Sequence, residues 1–234
     1  MVRLLAIDAI TEPLFFLPLF FAILDWIGII RGWKRPRYVT KPGVILSLLF
    51  LLWVSTRFDG KLVWFAFALL FSLIGDYCLI LPCEQFQISL VSFLLTHISY
   101  IIAYTGIPLT PVLPSLVVLL ALICIGAIFQ YKLVAGLKRA RKQKMALPIL
   151  FYQLAISLMV LSATSTIWRT DWSMIPAILT SIGAISFFTS DLVLGWNRFV
   201  HPIMNARLKL TILYHVGQIA LIIGVITNNS SVIG

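Results

Sequence analysis

Three aspartates of this chain, Asp25, Asp76 and Asp191, lie inside long apolar stretches. A charged side chain at the centre of a membrane-spanning helix costs about 2.5 kcal/mol or more on insertion scales, so acids at that depth usually serve a function. Asp76 and Asp191 also lie in similar contexts, FSLIGDYCL and SFFTSDLVL. The alternative interpretation is that each acid only ties neighbouring helices together.

Two carboxylates in one low-dielectric pocket have an evident chemical use. Burial and mutual repulsion favour the state in which one is protonated and the other is ionised. We therefore predict that Asp76 and Asp191 form a general acid and general base pair. The competing hypothesis is a helix-bridging network in which His97 or Arg198 neutralises the two acids.

Other polar residues share helix faces with one another or with an aspartate, because residues three, four or seven apart stack on a helix. The sets are His97, Tyr100 and Tyr104; Tyr214 and Gln218; and Asp191 and Arg198. We predict that they build a polar pocket in an otherwise apolar bundle. Basic residues near the membrane interface, such as Lys41, Arg198 and Lys209, could hold a lipid phosphate there.

A metal site is the second chemical interpretation. His97, His215, Asp76 and Asp191 supply suitable ligand types. None belongs to a paired-histidine motif such as HExxH, and the chain has no GxSxG, P-loop or dinucleotide motif. We expect no cofactor, and the metal interpretation stays open.

The elements that must position these residues are membrane-spanning helices. The 234 residues are 61% hydrophobic and 11% charged, with a mean hydropathy of +1.04. The apolar runs are continuous and approach the 20 residues that cross a bilayer, so residues 1–234 are predicted to form one all-α membrane helix bundle. The eight predicted spans are 14–30, 42–57, 62–82, 87–106, 112–131, 147–167, 174–196 and 209–227.

The distribution of Lys and Arg predicts the orientation. Fourteen of these residues lie on one side of the predicted spans and four on the other. By the positive-inside rule the basic side is cytoplasmic, which places both termini outside and the aspartates in the cytoplasmic half. The net charge of +10 is therefore a topology signal rather than a sign of nucleic-acid binding. This pattern fits a bacterial cytoplasmic membrane, and an internal eukaryotic membrane stays an alternative.

The two halves of the chain also share an order of features. Each half has a span, a basic loop, a span that begins with proline, a span with an aspartate and a span with a histidine. Asp76 thus corresponds to Asp191, and His97 to His215. Four spans per half predict a parallel 4+4 pseudo-repeat.

Four motifs, taken in order, resemble the lysoplasmalogenase (YhhN-like) family of eight-span membrane proteins. They are LLFSLIGDYCL, FLLTHISY, SFFTSDLVLGWNRF and YHVGQIALIIG, and the start of the second span at Lys41 and Pro42 also fits. The resemblance implies a hydrolase that cleaves the vinyl ether bond of 1-alkenyl lysophospholipids. The products would be a fatty aldehyde and glycerophosphocholine or glycerophosphoethanolamine.

That chemistry suits the predicted pocket, because a vinyl ether is cleaved by protonating carbon and adding water. Asp76 and Asp191 are the expected catalytic pair. The expected substrate-binding residues are Lys41, His97, Tyr100, Asn197, Arg198, Tyr214 and Gln218. The substrate would be a lysophospholipid taken sideways from the bilayer.

Three other hypotheses remain open at this point. An ion-coupled transporter would move a substrate without forming a product. A metal-dependent hydrolase would need His97 or His215. A lipid-binding scaffold would use the aspartates for folding alone. The head-group preference, the acid and base assignment and the oligomeric state do not follow from the sequence.

Overall fold

The chain folds into a bundle of long helices, as the continuous apolar runs predict. The computed structural model describes residues 13–81, 85–104 and 112–233, and within these ranges it contains helices and turns but no strand. The α-helices are α1 (Phe16–Ile30), α2 (Arg37–Thr56), α3 (Val63–Ile80), α4 (Phe86–Ala103), α5 (Val112–Arg139), α6 (Ala146–Thr164), α7 (Met174–Phe199) and α8 (Ala206–Ile233). Helices satisfy their own backbone groups, which lipid cannot do.

Each predicted span contains one of these helices. Seven of them, α2 to α8, are long and apolar enough to cross a bilayer. The first, α1, has 15 residues and is shorter. The protein is therefore an integral, multi-pass membrane protein, and the outward placement of both termini stays a prediction.

Several helices reach further into the basic segments than predicted. Helix α2 begins at Arg37 rather than at Pro42, and α5 continues to Arg139 instead of ending at residue 131. A proline near the start of a helix loses only one intrahelical hydrogen bond, so Pro42 does not mark the first residue. Lys and Arg are also good helix formers whose long stems cover apolar surface while the charge reaches water.

Helices α7 and α8 pack with their backbones almost in contact. A methyl group on Gly183 would lie 2.7 Å from the Leu221 amide nitrogen, and one on Gly217 would lie 2.9 Å from the Phe187 amide nitrogen. Small residues permit this close approach between membrane helices. The pairs α7–α8 and α3–α4 have the most extensive helix contacts of the described chain, and the predicted 4+4 repeat stays a prediction.

Helix α5 lies at the edge of the bundle. Among the described helices it packs mainly against α6 and α7. Its outward face carries exposed large apolar side chains, among them Leu116, Val117, Leu120, Ile123 and Ile128. An apolar face of this kind is suited to contact with lipid chains.

Candidate active site

Asp76 lies at the centre of a buried network that joins α2, α3 and α8. The Lys41 ammonium nitrogen is 2.8 Å from Asp76 Oδ1, and the Tyr214 hydroxyl donates to Asp76 Oδ2 at 2.9 Å. Both Asp76 and Lys41 are buried. Lys41 therefore does not hold its charge free for a ligand, because it already neutralises this carboxylate.

Gln218 connects this network to α4. Its Nε2 donates to the Ser72 hydroxyl at 2.8 Å and lies 3.4 Å from the Tyr214 hydroxyl, and its Oε1 accepts from the Tyr100 hydroxyl at 2.5 Å. All of these side chains are buried. A connected network of this kind fixes side-chain positions in a low-dielectric interior. We call Lys41, Ser72, Asp76, Tyr100, Tyr214 and Gln218 the Asp76 network.

Asp191 belongs to a second network, between α4, α6 and α7. The Tyr152 hydroxyl donates to Asp191 Oδ2 at 2.5 Å, and His97 Nε2 lies 3.1 Å from the Tyr152 oxygen. His97 Nε2 is also 3.6 Å from Asp191 Oδ2. We call these three residues the Asp191 network.

The geometry fixes the tautomer of neutral His97. Tyr152 has one hydroxyl proton and gives it to Asp191, so its oxygen accepts from His97 Nε2. The other ring nitrogen, Nδ1, is buried and has no hydrogen-bond partner among the described residues. His97 therefore offers a second polar atom for an incoming group.

Aromatic rings separate the two networks. The Phe187 ring centroid lies 5.0 Å from that of His97 and 5.2 Å from that of Tyr214. No hydrogen bond or ion pair joins Asp76 to Asp191 in the part of the chain that the structure describes. Both networks therefore contact the Phe187 ring, and the two acids lie in different surroundings.

Asp25 joins two neighbouring helices, which is the structural role considered above as the alternative for all three acids. Its carboxylate accepts from Arg37 Nε at 3.0 Å and from the Thr40 hydroxyl at 3.0 Å, which joins α1 to α2. His215 is likewise held across helices, because Trp26 Nε1 donates to its Nδ1 at 3.1 Å. Within the described ranges, no three His, Cys, Asp or Glu side chains cluster as metal ligands would.

A basic pocket opens at the ends of five helices that carry the basic segments. Its polar lining includes Lys34, Arg37, Lys41, Asn197, Arg198 and Arg207. Asn197 also has a structural task, since its Oδ1 accepts from the Ile203 amide at 2.8 Å in the turn after α7. The guanidinium of Arg198 lies 4.1 Å from the Phe86 ring centroid. Arg198 and Asn197 thus lie together where a phosphate group is expected, and Lys209 does not line this pocket.

An apolar cavity adjoins the basic pocket. It is a small cavity between α4, α5, α6 and α7, and it is lined mainly by Phe, Leu and Ile side chains. Asp191 and Tyr152 supply polar groups in its wall. The side chain of Asp191 is 14% exposed, whereas that of Asp76 is 1% exposed. Leu194 lines both the cavity and the basic pocket, so the two spaces are neighbours that share this residue in their walls.

The arrangement can place one carboxylate against the end of an apolar chain and a cationic pocket beside it. Every predicted site residue lies in one of the two networks or in the basic pocket. Sequence reasoning missed Tyr152, which contacts both His97 and Asp191. The signal was present, because Tyr152 is a lone hydroxyphenyl group in the apolar run ALPILFYQLAISL.

The chain is similar to known proteins over most of its length. Lysoplasmalogenase TMEM86B of Mus musculus is 31% identical over 207 residues, which cover 88% of this chain and 81% of the mouse protein. The protein of the same name from Sus scrofa is 30% identical over 158 residues, covering 68% of this chain and 61% of the pig protein. Uncharacterized membrane protein YhhN of Escherichia coli O157:H7 is 30% identical over 84 residues, covering 35% of this chain and 40% of that protein.

No solved structure matches the chain. The sequence pattern of the YhhN family matches residues 36–225, which include α2 to α7, most of α8, both networks and most of the basic pocket. The chain belongs to the YhhN family.

Proposed function

We propose that this protein is a lysoplasmalogenase-like hydrolase that cleaves the vinyl ether bond of 1-alkenyl lysophospholipids. The observation that carries the proposal is Asp191 in the wall of an apolar cavity that shares the wall residue Leu194 with a basic pocket. A lysophospholipid has one hydrocarbon chain and one phosphate, and the two spaces match these two parts. The names of the mouse and pig relatives support the same substrate class.

The substrate is placed by its charge and its apolar chain. The alkenyl chain occupies the apolar cavity, and the phosphate lies in the basic pocket near Arg198. Lys41 lines this pocket while it is paired with Asp76, so it is a secondary contact. The vinyl ether then lies at the junction of the two spaces, within reach of α7.

The reaction begins with proton transfer to carbon. Asp191, in its protonated form, gives its proton to the outer alkene carbon, and the electron pair of the double bond forms the new C–H bond. The cation that results is shared between the ether oxygen and the adjacent carbon, and a nearby carboxylate stabilises it as in glycosidases. Asp191 has this role because it is the member of the pair that reaches the cavity.

Water completes the reaction. A water molecule adds to the carbon that bears the oxygen and loses a proton to the Asp76 carboxylate, which lies 2.8 Å from the Lys41 ammonium nitrogen. The hemiacetal then gives its hydroxyl proton to the Asp191 carboxylate and breaks its bond to the glycerol oxygen, which takes the proton held by Asp76. The products are a fatty aldehyde and a glycerophospho-alcohol, and both acids return to their starting states. His97, Tyr100, Tyr214 and Gln218 hold the two acids and orient the water.

The test is aldehyde release from 1-alkenyl lysophosphatidylethanolamine by the purified, detergent-solubilised protein with EDTA present. The wild type should release aldehyde, and folded Asp76→Asn and Asp191→Asn proteins should not. If both folded variants remain active, the two-aspartate mechanism is wrong. If the wild type releases no aldehyde with metal restored, the proposed substrate is wrong, and lipid transport becomes the better hypothesis.

A further inference from the structure

A long groove runs between α5 and α6 on the outside of the bundle. Six of its lining residues define what we call the α5–α6 groove: Leu122, Gly126, Ala127 and Gln130 of α5, and Gln153 and Leu154 of α6. Its walls are mostly apolar, and it lies beside the exposed apolar face of α5. In a membrane this groove faces lipid.

Gln153 is shared by the α5–α6 groove and the Asp191 cavity. It lines both spaces. A methyl group on Gly126 would lie 2.5 Å from Gln153 Nε2, so the side chain reaches the backbone of α5. Gln153 therefore lies at the boundary between the lipid-facing groove and the cavity.

Two amide oxygens in this groove are buried without a partner. Gln153 is 8% exposed, and its Oε1 has no hydrogen-bond partner among the described residues. The same holds for Oε1 of Gln130, whose Nε2 donates to the Ala146 carbonyl at 3.3 Å. A buried acceptor without a donor costs about 1–3 kcal/mol, so a ligand that supplies a hydroxyl or ammonium donor gains affinity here.

One end of the groove is cationic. Lys138, in the last turn of α5, lines it and is exposed. The groove thus offers, in one space, a cation for a phosphate, two acceptors for hydroxyl or ammonium groups, and an apolar wall for a chain.

We propose that the α5–α6 groove is a binding site for a single-chain phospholipid, through which the substrate passes sideways from the bilayer into the Asp191 cavity. Gln153 receives the glycerol hydroxyl of the lipid as the chain enters the cavity. This route rests on the proposed hydrolase function, whereas the binding site itself is tested without any reaction.

The probe is a 1-alkyl lysophosphatidylethanolamine with a diazirine at the end of its saturated chain, which has no vinyl ether to cleave. Irradiation of the full-length protein in nanodiscs, followed by mass spectrometry, should label peptides of α5 and α6. Ala127→Leu fills the groove, and Ala121→Leu adds the same volume at an exposed position of α5 that does not line it. We expect labelling to fall several-fold in Ala127→Leu and to be unchanged in Ala121→Leu.

A second variant tests the polar boundary. Gln153→Leu keeps a similar side-chain size but removes the amide oxygen and the amide nitrogen, and it should weaken competition by unlabelled lysophospholipid several-fold. Equal labelling of the two alanine variants would overturn the binding site. So would labelling spread evenly over the other lipid-facing helices, or a dimer with α5 covered by a second copy.

The binding site and the proposed function fail in different ways. Labelled α5 and α6 peptides without aldehyde release from the vinyl ether substrate would support the groove and contradict the hydrolase. Aldehyde release without labelling in the groove would support the hydrolase and contradict this route.

Discussion

The Asp76 network and the Asp191 network hold the same kind of acid in opposite surroundings. Asp76 is fully buried, faces the Lys41 ammonium and accepts from Tyr214. Asp191 is partly exposed to an apolar cavity and accepts from Tyr152, with His97 behind it. Similar sequence contexts therefore lead to one internal ion pair and one acid at a cavity wall.

The difference indicates that the two acids have different roles. A buried ion pair is strongly destabilised when one partner is removed, so Asp76 has a large effect on folding. An acid with access to a cavity has a smaller structural role and can contact a ligand. The comparison thus predicts that mutation of either acid lowers activity, whereas only mutation of Asp76 also causes a large loss of stability.

The largest expected effect is on activity in Asp191→Asn. Removing a general acid lowers rates by about 10²–10⁴-fold, so aldehyde release should fall into that range. Asparagine keeps the shape and still accepts from Tyr152, so the variant should fold. The initial rate of aldehyde release, normalised to folded protein, measures this effect. A rate within twofold of wild type would remove Asp191 from the mechanism.

Asp76→Asn should cause the largest loss of stability. It leaves the Lys41 ammonium buried without its carboxylate, which costs roughly 3–5 kcal/mol. Unfolding in detergent, followed by tryptophan fluorescence, measures the change. The double variant Lys41→Met with Asp76→Leu should regain most of the stability, because both charges are removed together. If Asp191→Asn is destabilised as much as Asp76→Asn, the contrast between the networks is wrong.

Tyr152→Phe should have an intermediate effect on activity. It removes the donor to Asp191 and the acceptor for His97 without changing the ring, so we expect about a tenfold lower kcat/KM. Stability should fall by about 1 kcal/mol, the usual net contribution of one hydrogen bond. Tyr77→Phe, on an exposed ring of α3, is the matched control and should leave both quantities unchanged.

Asp25→Asn should affect folding but not chemistry. The Asp25 carboxylate joins α1 to α2 through Arg37 and Thr40. Weakening charged hydrogen bonds should lower the free energy of unfolding by about 1.5–3 kcal/mol. Activity per folded molecule should stay within twofold of wild type. A large loss of activity in well-folded protein would place this third acid in the reaction.

The smallest effect is a pH dependence outside the membrane spans. Arg169 beside Asp171 lowers the pKa of that carboxyl below its ordinary value. The pair therefore adds stability at pH above the ordinary pKa, and this is lost as pH falls through the lower, folded value. Because the Asp171 side chain is 60% exposed, the contribution is at most a few tenths of a kcal/mol. Wild type and Asp171→Asn should thus converge in stability under acid conditions.

Much of the fold follows from the sequence, because apolar runs of span length can only become helices in lipid. Each predicted span contains a helix, and the lysine and arginine residues define one end of the bundle. The helix starts were less accurate, since Pro42 lies inside α2 rather than at its beginning. Charged side chains that extend a helix toward water leave no apolar signal to mark where it begins.

The sequence predicted residues that lie in the two networks and the basic pocket, but it did not predict which of them contact each other. Asp76, Asp191 and His97 were expected, and each lies in one of the two hydrogen-bonded networks. Lys41 was assigned to a phosphate, yet its nearest acid is Asp76. Which helix faces meet depends on packing among all the helices, and spacing within one helix carries no information about a partner on another. The same reason explains why Tyr152 was missed.

The backbone contact between α7 and α8 has a consequence for how this protein can change. Gly183 and Gly217 leave no room for a side chain where α7 and α8 cross. We therefore expect the two helices to move together as one rigid unit. Asp191 belongs to α7, and Tyr214, which donates to Asp76, belongs to α8. The distance between the Asp76 network and the Asp191 network therefore depends on these two glycines, whose side chains are single hydrogen atoms. We expect that replacing Gly183 or Gly217 with alanine would displace both networks.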